Sequence, residues 1–148
     1  MNPLRILFTL LRYLWPGLIT LMFLPLAPLA RATGGDFAWH TGVLEVWGGV
    51  VGKSLKKGIP LFGSVAAITL GHVVAGYSYA CIQATRRHER VHVRQFERWG
   101  FFFPLVYWLA GTWCFLKGGR WYWDNPFEQE ARAAEQRGHA SQHLRLIK

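Results

Sequence analysis

Polar and apolar positions divide the chain into runs of different period. Residues 4 to 30 are almost continuously apolar, longer than the roughly 20 residues that a membrane span needs. Arg5 and Arg12 near its start, and Pro16-Gly17 in its middle, argue against one straight helix. From 36 to 51 the runs shorten, and 36–40 and 43–49 read as a hairpin turning at Thr41-Gly42. His40 beside that turn reads as an exposed histidine. Lys53, Lys56 and Lys57 read as a basic loop closed by Gly58 and Pro60. Residues 65–74 give the best single strand: Thr69, Val73 and Val74 are β-branched, Gly71 marks a bulge or a close backbone approach, and His72 reads as facing solvent. Residues 86–99 contain no glycine or proline and read as a helix stopped by Gly100. An apolar run follows at 101–117, then the aromatic patch Trp121-Tyr122-Trp123. A second helix start lies at Asp124-Asn125-Pro126, with Asp124 or Asn125 as cap and Glu128 and Glu130 near its positive end. From 136 the chain is polar and basic, and His139 and His143 read as tail residues.

Helical geometry gives the 86–99 segment its chemistry. At about 100° per residue, His88, His92, Gln95 and Trp99 share an arc of roughly 60°, with Glu89 on its shoulder. Arg87, Arg90, Arg94 and Arg98 gather on the far side, suited to water or to anionic membrane headgroups. His88-Glu89-Arg90-Val91-His92 is the His-Glu-x-x-His pattern, in which two histidines one turn apart bind zinc and the glutamate works as a base.

Composition narrows the setting. At 148 residues the chain makes one compact domain. It is 51% hydrophobic and carries a net charge of +9, a combination that points to a membrane partner. Nucleic acid, the usual rival for a basic chain, is disfavoured by the long apolar runs and by the lack of any nucleic-acid-binding motif. Cys81 and Cys114 have no metal spacing and no disulfide framework, and read as apolar fillers in a reducing compartment. Residues 1–32 read as a membrane anchor. A secretory signal with Ala30-Arg31-Ala32 as cleavage site is the alternative, disfavoured because Arg12 breaks what should be an uncharged core.

A catalytic zinc takes three protein ligands and keeps one position open. Glu128 and Glu130, on a helix made slim by Ala131, Ala133 and Ala134, are the candidates for the third. Together, Thr69 to Val74, the His88-to-Gly100 segment and Asp124-Asn125-Pro126-Phe127-Glu128-Gln129-Glu130-Ala131 resemble a family of short, uncharacterised bacterial zinc metallopeptidases, over about residues 42 to 135. More distantly the chain is similar to the gluzincins, including thermolysin-like and membrane-bound heat-shock and CAAX-processing peptidases. The resemblance implies Glu128 as the third ligand, followed by two variable residues, an alanine and often an aspartate that orients a metal histidine. Here Ala131 is in place, but Arg132 stands where that aspartate belongs, so the orienting partner is unassigned.

The expectation is a small α+β zincin-like domain of short antiparallel strands over residues 33–137, with the 1–32 anchor and a basic tail at 138–148. Its expected activity is hydrolysis of a peptide or protein substrate, with His88, His92 and Glu128 on zinc and Glu89 as base. Tyr122, Tyr79 and His72 compete as donor to the developing oxyanion. A shared ion also constrains topology. With metal–ligand bonds of about 2 Å and a bilayer core of about 30 Å, residues 101–117 cannot cross and leave the two motifs on opposite sides. They must lie in the domain or at the interface, which suits Trp108, Trp113 and the 121–123 patch. The lysines and arginines between the apolar runs place the catalytic side in the cytoplasm. The competing expectations are a non-enzymatic membrane protein retaining a zincin-like fold and a metal-free amphipathic module.

Overall fold

The structure, a computed structural model, describes Leu7, Leu10 and residues 13–58 and 64–146, with side chains described up to residue 138. Arg5, Arg12 and Pro60 lie outside that description, as do most of the 1–12 segment and the side chains of His139 and His143. In chain order the elements are α1 (Gly17–Phe23), α2 (Leu26–Ala32), β1 (Gly35–His40), β2 (Val43–Gly48), α3 (Gly49–Lys57), β3 (Ala67–Leu70), β4 (Val73–Gly76), α4 (Tyr79–Trp99), a 3-10 turn at Gly100–Phe102, α5 (Phe103–Leu116) and α6 (Pro126–Leu146). The chain is α+β.

Two hairpins make the sheet, in the order β1-β2-β4-β3. The first turns at Thr41-Gly42, as its sequence predicts; both residues have positive φ, the signature of a two-residue turn that matches strand twist. The expected single strand at 65–74 is instead the second hairpin. Gly71, at φ +68, turns the chain at Gly71-His72, and β3 pairs antiparallel with β4. Because β4 runs parallel to β2, the sheet is mixed and not purely antiparallel. The crossover between hairpins includes α3, so the three lysines read as a loop lie on a helix whose Val51 and Leu55 face the core.

Strand alternation sorts side chains to two faces. Leu44, Val46, Val73 and Ala75 pack with Ala27 and Ala30 of α2 and Val51 and Leu55 of α3. Val43 and Val74 point the other way, onto Val93 of α4. The second half of the N-terminal apolar run therefore belongs to the core. The run is broken into two short helices at Pro25 as well as at Pro16.

α4 begins seven residues before the predicted segment, capped by Ser78, whose hydroxyl accepts from Cys81 N. One of its sides faces the sheet and another faces α6. On the sheet side Glu45 of β2, buried, takes a two-pronged pair from Arg86, with Nε to Oε1 at 2.8 Å and Nη2 to Oε2 at 2.8 Å. Arg90 joins this side, donating to the His40 and Thr41 carbonyls, so it ties the first hairpin turn to α4. His72, expected in solvent, is buried: its ring stacks on Tyr13 at 4.5 Å and its Nε2 lies 3.4 Å from Glu97.

At Gly100 the chain folds back. The residue has φ +58, and Trp15 packs where a side chain would project, so glycine is required twice over. As one unbroken helix, Tyr79–Leu116 contains a stretch long and apolar enough to cross a membrane. A straight helix would hold His92 and Tyr107 about 22 Å apart, at 1.5 Å per residue. Their ring centroids are 6.3 Å apart, and those of Phe96 and Phe103 are 4.6 Å apart, so α5 returns across α4. α6 then starts on Asn125, whose Oδ1 accepts from Phe127 N and whose Nδ2 donates to Tyr107 O. The basic tail continues this helix to Leu146.

Arg86→Met strands the Glu45 carboxylate in the core. It is expected to cost about 3 kcal/mol in urea unfolding, the low end for a broken buried pair, because Arg90 Nη2 stands 3.9 Å from Glu45 Oε1 and answers part of the charge. The double change Arg86→Met with Glu45→Leu should recover most of that loss.

Candidate metal centre

The α4 face that does not meet the sheet carries His88 and His92, and α6 brings Glu128 against it. Nε2 of His88 and Nε2 of His92 are 3.1 Å apart. His88 Nε2 lies 3.4 Å from Glu128 Oε2, and His92 Nε2 lies 3.2 Å from Glu128 Oε1. Metal bonds of about 2.05 Å at tetrahedral angles separate neighbouring ligand atoms by about 3.3 Å. Each distance is close to that spacing, the two to Glu128 ending on different oxygens of its carboxylate, and one donor atom from each residue lies within 4.8 Å of the others. Glu130, two residues on and so on another side of α6, turns to Gln95 and Arg98.

The protonation pattern also fits a cation. Gln95 is fully buried, and its amide donates to Phe127 O and to Glu130 Oε2, which leaves Oε1 to face His92 Nδ1 at 2.8 Å. His92 therefore carries its proton on Nδ1 and presents a bare Nε2. Two imidazoles and a carboxylate converge with no positive charge built between them. Buried Glu128 Oε2 has no hydrogen-bond partner among the described residues. Burial alone would raise the Glu128 pKa, but the facing His88 and His92 rings hold it well below the usual carboxylate range. His92 shifts the other way, up, because Glu128 and Glu89 outweigh the effect of its burial. Two imidazole nitrogens and one carboxylate make a donor set near enough together to hold a metal ion.

Glu89 is buried beside this triangle on the side nearest the sheet. Burial pushes its pKa up, against the pull of His92 and of the Thr69 hydroxyl, which donates to Oε2 at 2.7 Å. A raised carboxylate pKa makes Glu89 the better proton acceptor. Thr69 was legible only as a strand residue; a hydroxyl flanked by Ile68 and Leu70 was its one sequence signal. Tyr107, also missed, donates to Glu128 Oε1 at 2.8 Å from within an apolar run.

Of the three candidate donors, Tyr122 alone reaches the site. It lines the cleft, and burial followed by the nearby Glu128 charge raises its pKa, so it remains a phenol. Tyr79, at the start of α4, packs on Trp47 at 4.8 Å on the sheet side, and His72 is at the β3–β4 turn against Tyr13; neither lines the cleft. Arg87, Arg94 and Arg98 are exposed, whereas Arg90 is spent on the hairpin.

The structure also shows what occupies the place of the expected aspartate. Arg132 donates to Trp123 O, lies over the Trp123 ring at 5.2 Å, and brings Nη1 within 3.7 Å of Glu128 Oε2. It restrains the Glu128 carboxylate and leaves the orientation of a histidine to Gln95. His88 has its own acid, with Nδ1 3.7 Å from Glu135 Oε2.

His88, His92 and Glu128 all line a chamber of about 380 Å³ that continues into a larger cleft of about 790 Å³; both share His88, Glu89, Tyr122 and Trp108. Gln95→Ala frees the His92 ring. It should weaken zinc binding by about 10- to 100-fold, the usual cost of losing a ligand's supporting hydrogen bond, as read by competition with a chromophoric chelator.

Comparison of the chain with protein-family profiles, with curated proteins and with solved structures finds no match, so the functional reading rests on the residues themselves.

Proposed function

We propose that this chain is a membrane-associated, zinc-dependent metallopeptidase with a zincin-like arrangement of α4 and α6. The observation that carries the reading is the convergence of His88 Nε2, His92 Nε2 and Glu128 within bonding distance of one ion, with Glu89 buried alongside. Three protein ligands leave a coordination position open, as catalysis requires. Bound there, zinc supplies Lewis acidity toward a peptide carbonyl and acidifies water toward a pKa of about 7.

The chain's own groups do the rest. Glu89, fixed by Thr69, takes a proton from the attacking water and returns it to the leaving amine. Tyr122 donates to the oxygen on which charge develops. Gln95 keeps the His92 lone pair aimed inward, and Tyr107 steadies Glu128. A second reading, a non-enzymatic membrane protein with the same fold and a structural zinc, is favoured by Arg132 in place of the aspartate. A buried, hydroxyl-supported Glu89 weighs against it, since a structural site has no use for a base.

Support for membrane residence comes from the apolar runs. α5 has 14 residues, or about 21 Å, too short for a hydrocarbon core of about 30 Å. It lies on the domain beside the N-terminal run: Ile19, Phe96 and Phe103 pack together, and Trp15 meets Phe102 at 6.3 Å. Both runs thus serve one side of the bilayer, the cytoplasmic side by the positive-inside tendency. Ala27 and Ala30 are core residues, so cleavage after Ala32 would strip the sheet of one cover, which favours retention of the segment.

Protein purified without added metal should carry close to one zinc per chain by elemental analysis. Glu128→Ala should lower zinc affinity far more than Glu130→Ala, and Glu89→Gln should keep the zinc while abolishing peptide hydrolysis. Wild-type chain that remains metal-free after zinc is supplied removes the basis of the reading. In a background lacking Cys81 and Cys114, cysteines at Lys57 and Gln136 should react alike with an impermeant thiol reagent in intact cells; opposite labelling would mean that the 101–117 run crosses.

A further inference from the structure

The helix that walls the cleft is also the most exposed apolar surface of the domain. α5 is apolar on every side, yet only Phe103 and Gly111 of it are buried. Such a helix needs a protein core or lipid around it. Leu105, Leu109, Trp113 and Leu116 are more than half exposed. Leu14, Trp15, Leu18 and Leu21 extend the same exposed surface across the Trp15–Phe102 contact.

Charges mark how this surface sits. Arg98 precedes the helix, and Lys117 and Arg120 follow it, all at its ends. Lys117 lies over the Trp113 ring at 4.7 Å and Arg120 over Trp123 at 5.9 Å. Lys117 and Arg120, each over an indole, gather beyond the C-terminal end of this four-turn apolar helix and Arg98 stands before its N-terminal end, which suits the headgroups of one membrane surface with the helix lying flat in it. The occupant of this face is therefore the bilayer, not water.

The cleft borrows its wall from that helix. Pro104 and Trp108 of α5 line it, Trp108 in both chambers, one residue before lipid-facing Leu109. The opposite wall is the 65–70 segment, with Val65, Ala67 and Leu70. Trp121 and Trp123 extend the aromatic side. A cleft whose wall is the membrane-facing helix opens at the membrane surface.

We propose that the cleft takes an apolar polypeptide segment residing at the bilayer surface, which enters past Trp108 from the lipid side without passing through bulk water. This rests on the peptidase reading for its chemistry, but not for its geometry. The substrate class is then membrane-inserted or juxtamembrane protein segments, rather than soluble polar peptides.

The test places a photo-crosslinking phenylalanine analogue at Trp108 or at Leu109 in the full chain, bound to vesicles of mixed neutral and anionic lipid. Two biotinylated peptides of about 20 residues are offered: a Leu/Ala-rich one with lysine ends that inserts, and a Gly/Ser/Glu-rich one that stays in water. Crosslinking at Trp108 should favour the inserted peptide by about tenfold, the gain of confining both partners to one surface. Ala66→Trp, at an exposed position on the rim of the larger chamber, should lower the Trp108 crosslink and leave the Leu109 crosslink unchanged, which separates occupancy of the cleft from collisions in the bilayer. Equal capture of the soluble peptide, loss of neither crosslink on Ala66→Trp, or chain-to-chain adducts dominating at Leu109 would each overturn the proposal. The same preference in Glu89→Gln and His88→Ala chains is expected. If it holds while zinc binding fails, the peptidase reading falls and the access route stands; if zinc binding and hydrolysis hold without the preference, the reverse follows.

Discussion

Two imidazole nitrogens and a carboxylate, with contacts of 3.1 to 3.4 Å between them, concentrate lone pairs in a buried site, at a desolvation cost that a cation or a shared proton offsets. Much of the surrounding structure serves to hold them there. α4 supplies both histidines on one turn, and the return of α5 puts Tyr107 against Glu128. The Asn125 cap, which also grips Tyr107 O, sets the start of α6 so that Glu128 arrives at the right height. Gln95 links the two helices directly, with one end on His92 and the other on Phe127 and Glu130.

The sheet contributes from the opposite side of α4. Thr69 restrains Glu89, and the Glu45–Arg86 pair with Arg90 fastens the same helix to the first hairpin. α4 is thus pinned on both faces, which limits the movement of His88, Glu89 and His92 relative to Glu128. The buried charges at Glu45 cost desolvation and return a fixed helix orientation.

The apolar surface and the polar site are parts of one design. Folding back at Gly100 brings α5 over the histidines and at the same time turns its remaining faces outward beside the N-terminal run. The corner that brings His88, His92 and Glu128 together also builds the exposed apolar surface beside the cleft.

Local chemistry was legible in the sequence because it depends on spacing along one element. The i, i+4 histidines with Glu89, the Thr41-Gly42 turn, the Gly100 stop and a cap at Asp124 or Asn125 each follow from a few neighbouring residues, and the structure selects Asn125. Gln95 could be placed on the histidine arc by the same arithmetic, but not given its role, since its partners Phe127 and Glu130 lie more than 30 residues away. The mixed sheet, the split of 65–74 into two strands and the burial of His72 depended on which surfaces met. β-branched residues fit a strand on either side of a turn, and only pairing with β2 chose between the two. The N-terminal run read as pure membrane anchor because hydropathy cannot tell lipid from a sheet face, and Ala27 and Ala30 are covered by that face. Arg132 looked like a lost orienting group in one dimension. Tertiary structure moved the orienting task to Gln95 and set Arg132 against Glu128 instead, because a side chain's role is fixed by the partners that folding brings within reach.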